Sequence, residues 1–417
     1  MGSTLSTFDA LLKERYIDSS KVEELVYPQN VLLGRLEKRG DTGMVGDSMP
    51  IPIITANPQG VGGVFAQAQA NASNIGANKF LTTAGDYFGV IAIGDKVMKA
   101  SRTNAGAFLE NKITEIDGLY ETAMDSLSLY AWGNGGQSLG QIASISGNTF
   151  VLTVPSDVAN FEVGMSVVAS LNDGAASTDA LIDSGNSTTV SGINRATGAV
   201  TLANAAAISG LANGNFLFRE GDFFGNTGTI VIRGVGAYIT ATDTPGALWG
   251  VSAATRATDV QRWSGCRVDP TTLAGKSYDQ RIKALFSQMT GRFKAKAPTA
   301  CYLHPEDFDV LETVMAAKGI RPLEDESTQF GYTKIDVMTA SGRVPIFSDR
   351  HVPLGNCFAL REENWWISSM GELLHVQNSD GLQMLRQSTT TDYEFRLLSY
   401  PILACNAPKN NGRIALT

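Results

Sequence analysis

The chain has 417 residues, a net charge of −8, 18% charged residues and 43 glycines. That length accommodates two or three domains of ~100–200 residues each, in a globular chain rich in turns. It excludes an obvious polyanion-gripping protein: no lysine stands between Lys112 and Lys276, and counterion release needs a clustered basic face.

At the N-terminus, TFDALLKERY carries an amphipathic helix pattern with Thr7 as its cap and Phe8, Leu11 and Leu12 on one face. A second apolar run covers Val31–Leu36. MGSTLS fits a myristoylation pattern at Gly2, but no second anchoring signal accompanies it, and no run approaches the ~18 apolar residues of a membrane span.

Residues 46–94 read GDSMPIPIITANPQGVGGVFAQAQANASNIGANKFLTTAGDYFGVIAIG, in which only Asp47, Lys79 and Asp86 are charged. Alternation at Ile51 and Ile53, and again at Val90, Ile91 and Ile93, predicts two strands joined by a long Gly/Gln/Asn-rich turn. A two-stranded ribbon is marginal alone, so this one makes physical sense if it lies on another molecule. A plain surface loop is the simpler alternative, although structureless loops much beyond ~15 residues are uncommon in compact domains.

Leu109, Ile113, Ile116, Tyr120, Ala123, Leu127 and Tyr130 then repeat at spacings of four and three, with Asn104 as a cap and Gly133 past the end. About 26 helical residues would span ~39 Å. One stripe is apolar, while Glu110, Glu115, Asp117, Glu121 and Asp125 lie mostly off it. The pattern predicts a strut lying on a sheet or a neighbour, with a coiled coil as the alternative.

From Gln137 to Glu220 short β-type runs alternate with turn signals at Gly147-Asn148, Asn172-Asp173-Gly174, Thr197-Gly198 and Asn213-Gly214. Five or six short strands predict a small barrel or sandwich. The change in composition makes the block look inserted into a host fold. Beyond about Thr229 the pattern is α+β. A helix is predicted over Tyr278–Lys294 behind Ser277, with Ile282, Leu285, Phe286, Met289 and Phe293 on its face. The strand-like TKIDVMT, RVPIFSD, NCFALRE, WWISSMGELLHV and TTTDYEFRLLSYPILAC follow.

PTACYLHPEDFDVLETVMAAKG (Pro298–Gly319) gathers a histidine, acids and a cysteine, but each has a structural use. Thr299–Leu303 reads as a buried strand, Pro305 opens a helix, and Glu306 and Asp307 complement its dipole. Phe308, Leu311 and Met315 form its apolar face. Of the histidines, His304, His351 and His375, none lies in an HExxH pair, and no GxSxG or GxxxxGK[ST] occurs. GVGGV and GVGAY lack the strand-then-helix setting of a nucleotide loop. Asp349 and His351 can be drawn as a pair, but SDRHVPLGN reads as a polar turn. Cys266, Cys301, Cys357 and Cys405 have no metal or redox spacing and read as small buried hydrophobes. The expectation is no catalytic, cofactor or metal site.

The order of arm, charge-poor ribbon, long helix and α+β body ending in a long strand resembles the major capsid protein of tailed bacteriophages, the Hong Kong 97-type fold. APTACYLHPEDFDVLE resembles that family's strand-to-helix segment in the axial domain. GRVPIFSDRHVPLGNCFALREENWWI resembles the strands that follow, and DYEFRLLSYPILACNAPKNNGRIAL the closing strand of the peripheral domain. The likeness covers nearly the whole chain except Gln137–Glu220, which is similar to insertion domains of some members.

The resemblance implies an α+β fold with an N-terminal arm (1–45), an extended loop (46–98), a spine helix (99–136), an inserted β-domain (137–220), an axial domain with peripheral strands (221–380) and a closing peripheral strand (381–417). It implies a non-enzymatic shell subunit that forms hexamers and pentamers of an icosahedral head around double-stranded DNA. Such a subunit belongs to the virion and assembles in the bacterial cytoplasm. Inter-subunit contacts are expected at Gly60, Gly62, Gly63, Val64, Phe65, Lys79 and Phe80. Some members weld the shell through a lysine–asparagine isopeptide bond. Lys79 is the one lysine of the ribbon at which such a donor would fall, although on its own it reads as a solubilising cation. Expected partners are other copies, a separate scaffolding protein, a portal, a decoration protein and packaged DNA by proximity, with no cofactor and no membrane. The alternatives are an encapsulin-like compartment and a hydrolase using His304, Glu306 and Asp307 beside a carbohydrate-binding β-domain.

Overall fold

The computed structural model describes residues 31–40, 44, 46–93, 105–318, 335–339, 342–378, 384–386 and 392–416, with the side chains of the long helix from residue 116 onward. The helix pattern behind Thr7, the cap at Asn104 and the closing Gly319 lie outside the described residues.

The body is organised on a six-stranded sheet in the order Cys266–Arg267, Gly412–Ala415, Asn356–Leu360, Ala300–Leu303, Gly342–Ser348, Ile335–Thr339. Ala300–Leu303 is buried at every position, as expected of a strand covered on both faces. Helices Tyr278–Gly291 and Pro305–Ala317 cover one face through Ile282, Leu285, Phe286, Met289, Phe308 and Leu311. Ser277 opens the first with a capping box to Gln280. On the other face, the rings of Tyr302 and Phe358 lie 5.2 Å and 5.4 Å from that of Trp132.

Trp132 ends the long helix Ala105–Trp132. Its buried stripe includes Ile116, Tyr120, Ala123, Leu127 and Tyr130, while the side chains of Leu109 and Ile113 lie outside those described. The stripe packs against sheet and body, as a strut would. A Cβ on Gly234 would stand 2.3 Å from the Tyr130 carbonyl. Only glycine lets the short helix Val235–Tyr238 approach the end of the strut this closely.

Between residues 140 and 219 six strands close into a barrel: Phe216–Arg219, Gly140–Ser146, Thr149–Leu152, Ala199–Leu202, Thr188–Asn194 and Ser166–Ser170 around the ring. First and last strands are neighbours, with Gln141 opposite Phe216 and Gly140 opposite Leu217. Chain entry and exit therefore lie side by side. Closure leaves no open sheet edge, which answers the open alternative of barrel or sandwich. Arg219 at the exit donates to Ser126 Oγ (2.9 Å), and Tyr130 donates to Asp222 Oδ2 (2.6 Å), so barrel and strut share a half-buried polar joint.

Two expectations need correction. The second ribbon strand is Gly76–Thr83, paired with Ser48–Ala56. Tyr87–Ile93 pairs instead with Tyr393–Ser399 along its whole length, so the paired ribbon stops well short of residue 98. Alternation alone does not reveal which of two successive strands is the partner. The closing stretch is not one strand either: Tyr393–Ser399, Pro401–Cys405 and Gly412–Ala415 enter three different sheets. Pro401 lacks an N–H, which favours a break in the ladder there, and Gly412–Ala415 belongs to the six-stranded sheet.

Candidate assembly surface

The ribbon begins as part of the body. Met49, Ile51 and Ile53 alternate inward from one strand, and Phe80 and Thr82 from the other. The Phe80 ring meets Tyr238 at 5.8 Å and Trp263 at 5.6 Å. Phe80 is fully buried in its own chain and is unavailable to a neighbour, which corrects its assignment as an inter-subunit residue. Full burial of such a side chain stabilises by ~1.5–3 kcal/mol, so Phe80 anchors the ribbon rather than extending it.

Backbone contacts complete the clamp. Leu81 N–H donates to the Trp249 carbonyl (3.0 Å), Gly85 N–H to Pro401 (3.1 Å) and Asp86 N–H to Ile230 (2.8 Å). A Cβ on Gly85 would lie 1.9 Å from the Val231 carbonyl oxygen, so the chain crosses the body at contact distance only because this residue is glycine.

Past the clamp the ribbon stands open to solvent. Residues 57–75 are exposed throughout except for the half-buried Ala68. They are held by internal bonds such as Gln59 N–H to Ser73 Oγ (2.9 Å). The Gly/Gln/Asn-rich middle is not a bare turn: it contains the helix Phe65–Ala70, which buries none of its residues. Phe65 is 82% exposed and Val61 78%, with Val64, Ile54 and Ile75 also open to solvent. Gly60, Gly62, Gly63, Val64 and Phe65 thus sit together at the tip. Lys79 is exposed on the second strand, facing Pro52 across the ladder.

A second open apolar face was not anticipated from sequence, because residues 90–93 were assigned to the ribbon. On strand Tyr87–Ile93, Tyr87 and Gly89 turn inward, while Phe88 (57% exposed) and Val90 (54%) point out. The Phe88 ring stands edge-on to Tyr400 at 6.3 Å.

The residues that suggested catalysis have structural partners. His304 Nδ1 accepts the Glu306 N–H (3.2 Å) and caps the helix. Asp307 Oδ2 accepts the Gly355 N–H (2.7 Å). Asp349 Oδ2 accepts from Trp132 Nε1 (3.1 Å), and Arg350 pairs with Asp125 of the strut. Burial lowers His304 and holds His351 down to about 3, while it raises Asp307 and Asp349. His351 Nε2 accepts from Arg350 Nε (3.1 Å), which fixes a neutral imidazole as an acceptor. Burial raises the thiols of Cys266, Cys301 and Cys405, and all four cysteines are free and buried. Such thiols are poor nucleophiles. Among the described residues, no group of three His, Cys, Asp or Glu side chains is placed to hold a metal ion, and no helix is long and apolar enough to cross a membrane.

No family model matches the chain, and no curated protein matches it. Among solved structures it is similar to the cyanophage A-1(L) capsid asymmetric unit, at 13% identity and a TM-score of 0.48, over 93% of this chain and 91% of that one. A structure of Mycobacterium phage Ogopogo aligns at 10% identity and a TM-score of 0.41, over 93% of this chain and 92% of that one. The holo-SrpI encapsulin complex from Synechococcus elongatus aligns at 8% identity and 0.41, over 94% and 90%.

Proposed function

We propose that this chain is the major capsid protein of a tailed bacteriophage, a Hong Kong 97-type subunit that builds hexamers and pentamers of an icosahedral head around double-stranded DNA. The observation that carries this reading is the ribbon: a charge-poor apolar tip, residues 57–75, exposed on a base clamped into the body. Exposed apolar surface of this kind marks an interaction site, and few unpaired charges are buried when such a surface docks.

In this reading Ala105–Trp132 is the spine and residues 46–84 the extended loop. The barrel is an insertion into the peripheral domain, supported by its adjacent ends. Scaffolding, portal and decoration proteins are further partners, and assembly takes place in the host cytoplasm. Lys79, exposed on the ribbon, remains the position for a covalent donor if one is used. The acids Glu162, Asp173, Asp179, Asp183 and Glu220 against Arg195 and Arg219 make the barrel a segment that repels DNA.

The hydrolase alternative finds less support. Of the aromatic rings in residues 137–220, Phe150, Phe161 and Phe218 are buried and Phe216 is half-buried, so the barrel offers no exposed ring for a sugar to stack on. Electron microscopy of the purified chain tests the proposal. Closed shells of uniform size are expected; a monomer at micromolar concentration with His304-dependent turnover would overturn it.

A further inference from the structure

Among the described residues, the buried side-chain atoms without a hydrogen-bond partner are Arg233 Nε, Arg256 Nε, Arg262 Nη1, Ser264 Oγ and Trp366 Nε1. All of them can donate, and buried donors are normally satisfied. A surplus made wholly of donors calls for an acceptor from outside the chain. Arg262 is already paired with Asp259 at 3.0 Å. Arg233 and Arg256 have no carboxylate partner among the described residues.

Arg256 is 2% exposed. It donates Nη1–H to the Gly246 carbonyl (2.7 Å) and Nη2–H to that of Ala237 (3.2 Å). Arg233 is half-buried, and its guanidinium makes no hydrogen bond or ion pair among the described residues. Its central carbon stands 4.1 Å from the Phe224 ring centroid and 5.3 Å from that of Trp249. Aromatic contact of this kind holds the planar fork in place and compensates part of its charge. The N–H edge, which is where a guanidinium binds two oxygens at once, is left without an acceptor. Burial lowers both arginines, Arg256 to about 10, and the two cations repel each other, yet both stay charged at neutral pH. Trp249 holds a left-handed backbone (φ 50°), uncommon for a bulky residue, while its ring N–H donates to Tyr238 Oη (2.9 Å). Strained backbone of this kind gathers at ligand clamps.

We propose that Arg233 and Arg256 form a binding site for one free oxyanion of the phosphate class. The N–H edge of Arg233 grips it, and its charge offsets the two buried cations. A small anion suits the site better than a nucleic-acid strand, because both Nε atoms are buried. The Trp249 carbonyl also accepts the Leu81 N–H, so the bound anion steadies the base of the ribbon. The site lies within a single chain and is independent of the shell-subunit reading.

Thermal unfolding of the full chain in sodium phosphate, against sodium chloride of equal ionic strength, tests the site. Arg233→Met is run beside the parent, since methionine keeps an apolar stem against Phe224 and removes the fork. The parent is expected to show a saturable rise in Tm of about 2–3 °C in phosphate. Calorimetric titration with phosphate is expected to give one site per chain. Arg233→Met is expected to lose that rise and, in chloride, to melt at or above the parent, because an unpaired buried charge has been removed. Arg233→Lys, which keeps the charge without the fork, guards against a methionine variant that does not fold, and is expected to lose most of the rise. Equal phosphate responses in parent and variants would overturn the site and leave aromatic stacking as the whole role of Arg233. A parent that does not respond to phosphate would overturn it too; loss of assembly in Arg233→Met would then assign the acceptor to a carboxylate on a second copy. None of these readings requires closed particles to form, so the site and the shell stand or fall separately.

Discussion

Burial decides what the ionisable side chains of this protein do. His304 and His351 are held neutral, and each accepts a hydrogen bond through a ring nitrogen. The unfolded chain takes up a proton near the ordinary imidazole value of ~6.5. As pH falls below that value the unfolded state therefore binds more protons and stability declines, for His351 down towards 3 and by at most about 1.4 kcal/mol per pH unit. Asp307 and Asp349, raised by burial, act in the opposite sense: their contribution is lost as pH rises through their folded values. A comparison of variant with parent isolates the histidine. His351→Gln, which keeps an acceptor for Arg350, is expected to flatten the pH dependence of the urea midpoint between pH 6.5 and 4 by close to one proton. Parallel curves would show that His351 contributes none of it. Sequence spacing placed a helix start at Pro305, but the capping role of His304 just before it came only from the structure. The role of His351 was not legible, because Arg350 and Asp125 meet only when the sheet packs on the strut.

At the scale of elements, periodicity carried the helices and the barrel strands, and partner choice was the weak point. The stripe from Ile116 to Tyr130 faces inward as its spacing requires. The runs around Ile51 and Val90 both read as strands, and both are. Their pairing was misjudged, because a ladder is chosen by long-range fit and not by the local pattern. Phe80 failed for the same reason: alternation says that it shares a face with Thr82, not that Tyr238 and Trp263 wait on that side. The barrel provides the element-scale test. Its ends are neighbours, so replacing residues 140–217 with a short flexible linker is expected to leave a soluble, cooperatively unfolding remainder, followed by circular dichroism. Arg219 and Asp222 are kept because they bond the strut. Aggregation of the remainder would mean that the barrel is part of the main core.

Across the whole molecule, net charge and exposed apolar surface are arranged separately. The chain is acidic, which favours solubility of the free subunit, while the ribbon tip, residues 57–75, carries no charged residue. Raising NaCl from 0.1 to 1 M shortens the screening length from ~10 to ~3 Å and loosens contacts held by ion pairs. Assemblies of this chain are expected to keep their mass over that range in sedimentation. They are expected to weaken on cooling, as apolar burial does. Dissociation by salt would move the principal contact to charged surfaces. The sequence by itself determined the long helix, the turn-rich block and the charge-poor ribbon, because these follow from spacing and residue type within short windows. Only the tertiary structure decided which strands pair, which ribbon residues are anchor and which are tip, and that Phe88 and Val90 stand uncovered. Each of those depends on what lies across from a side chain, and in a chain of this length that is set by contacts between residues far apart in sequence.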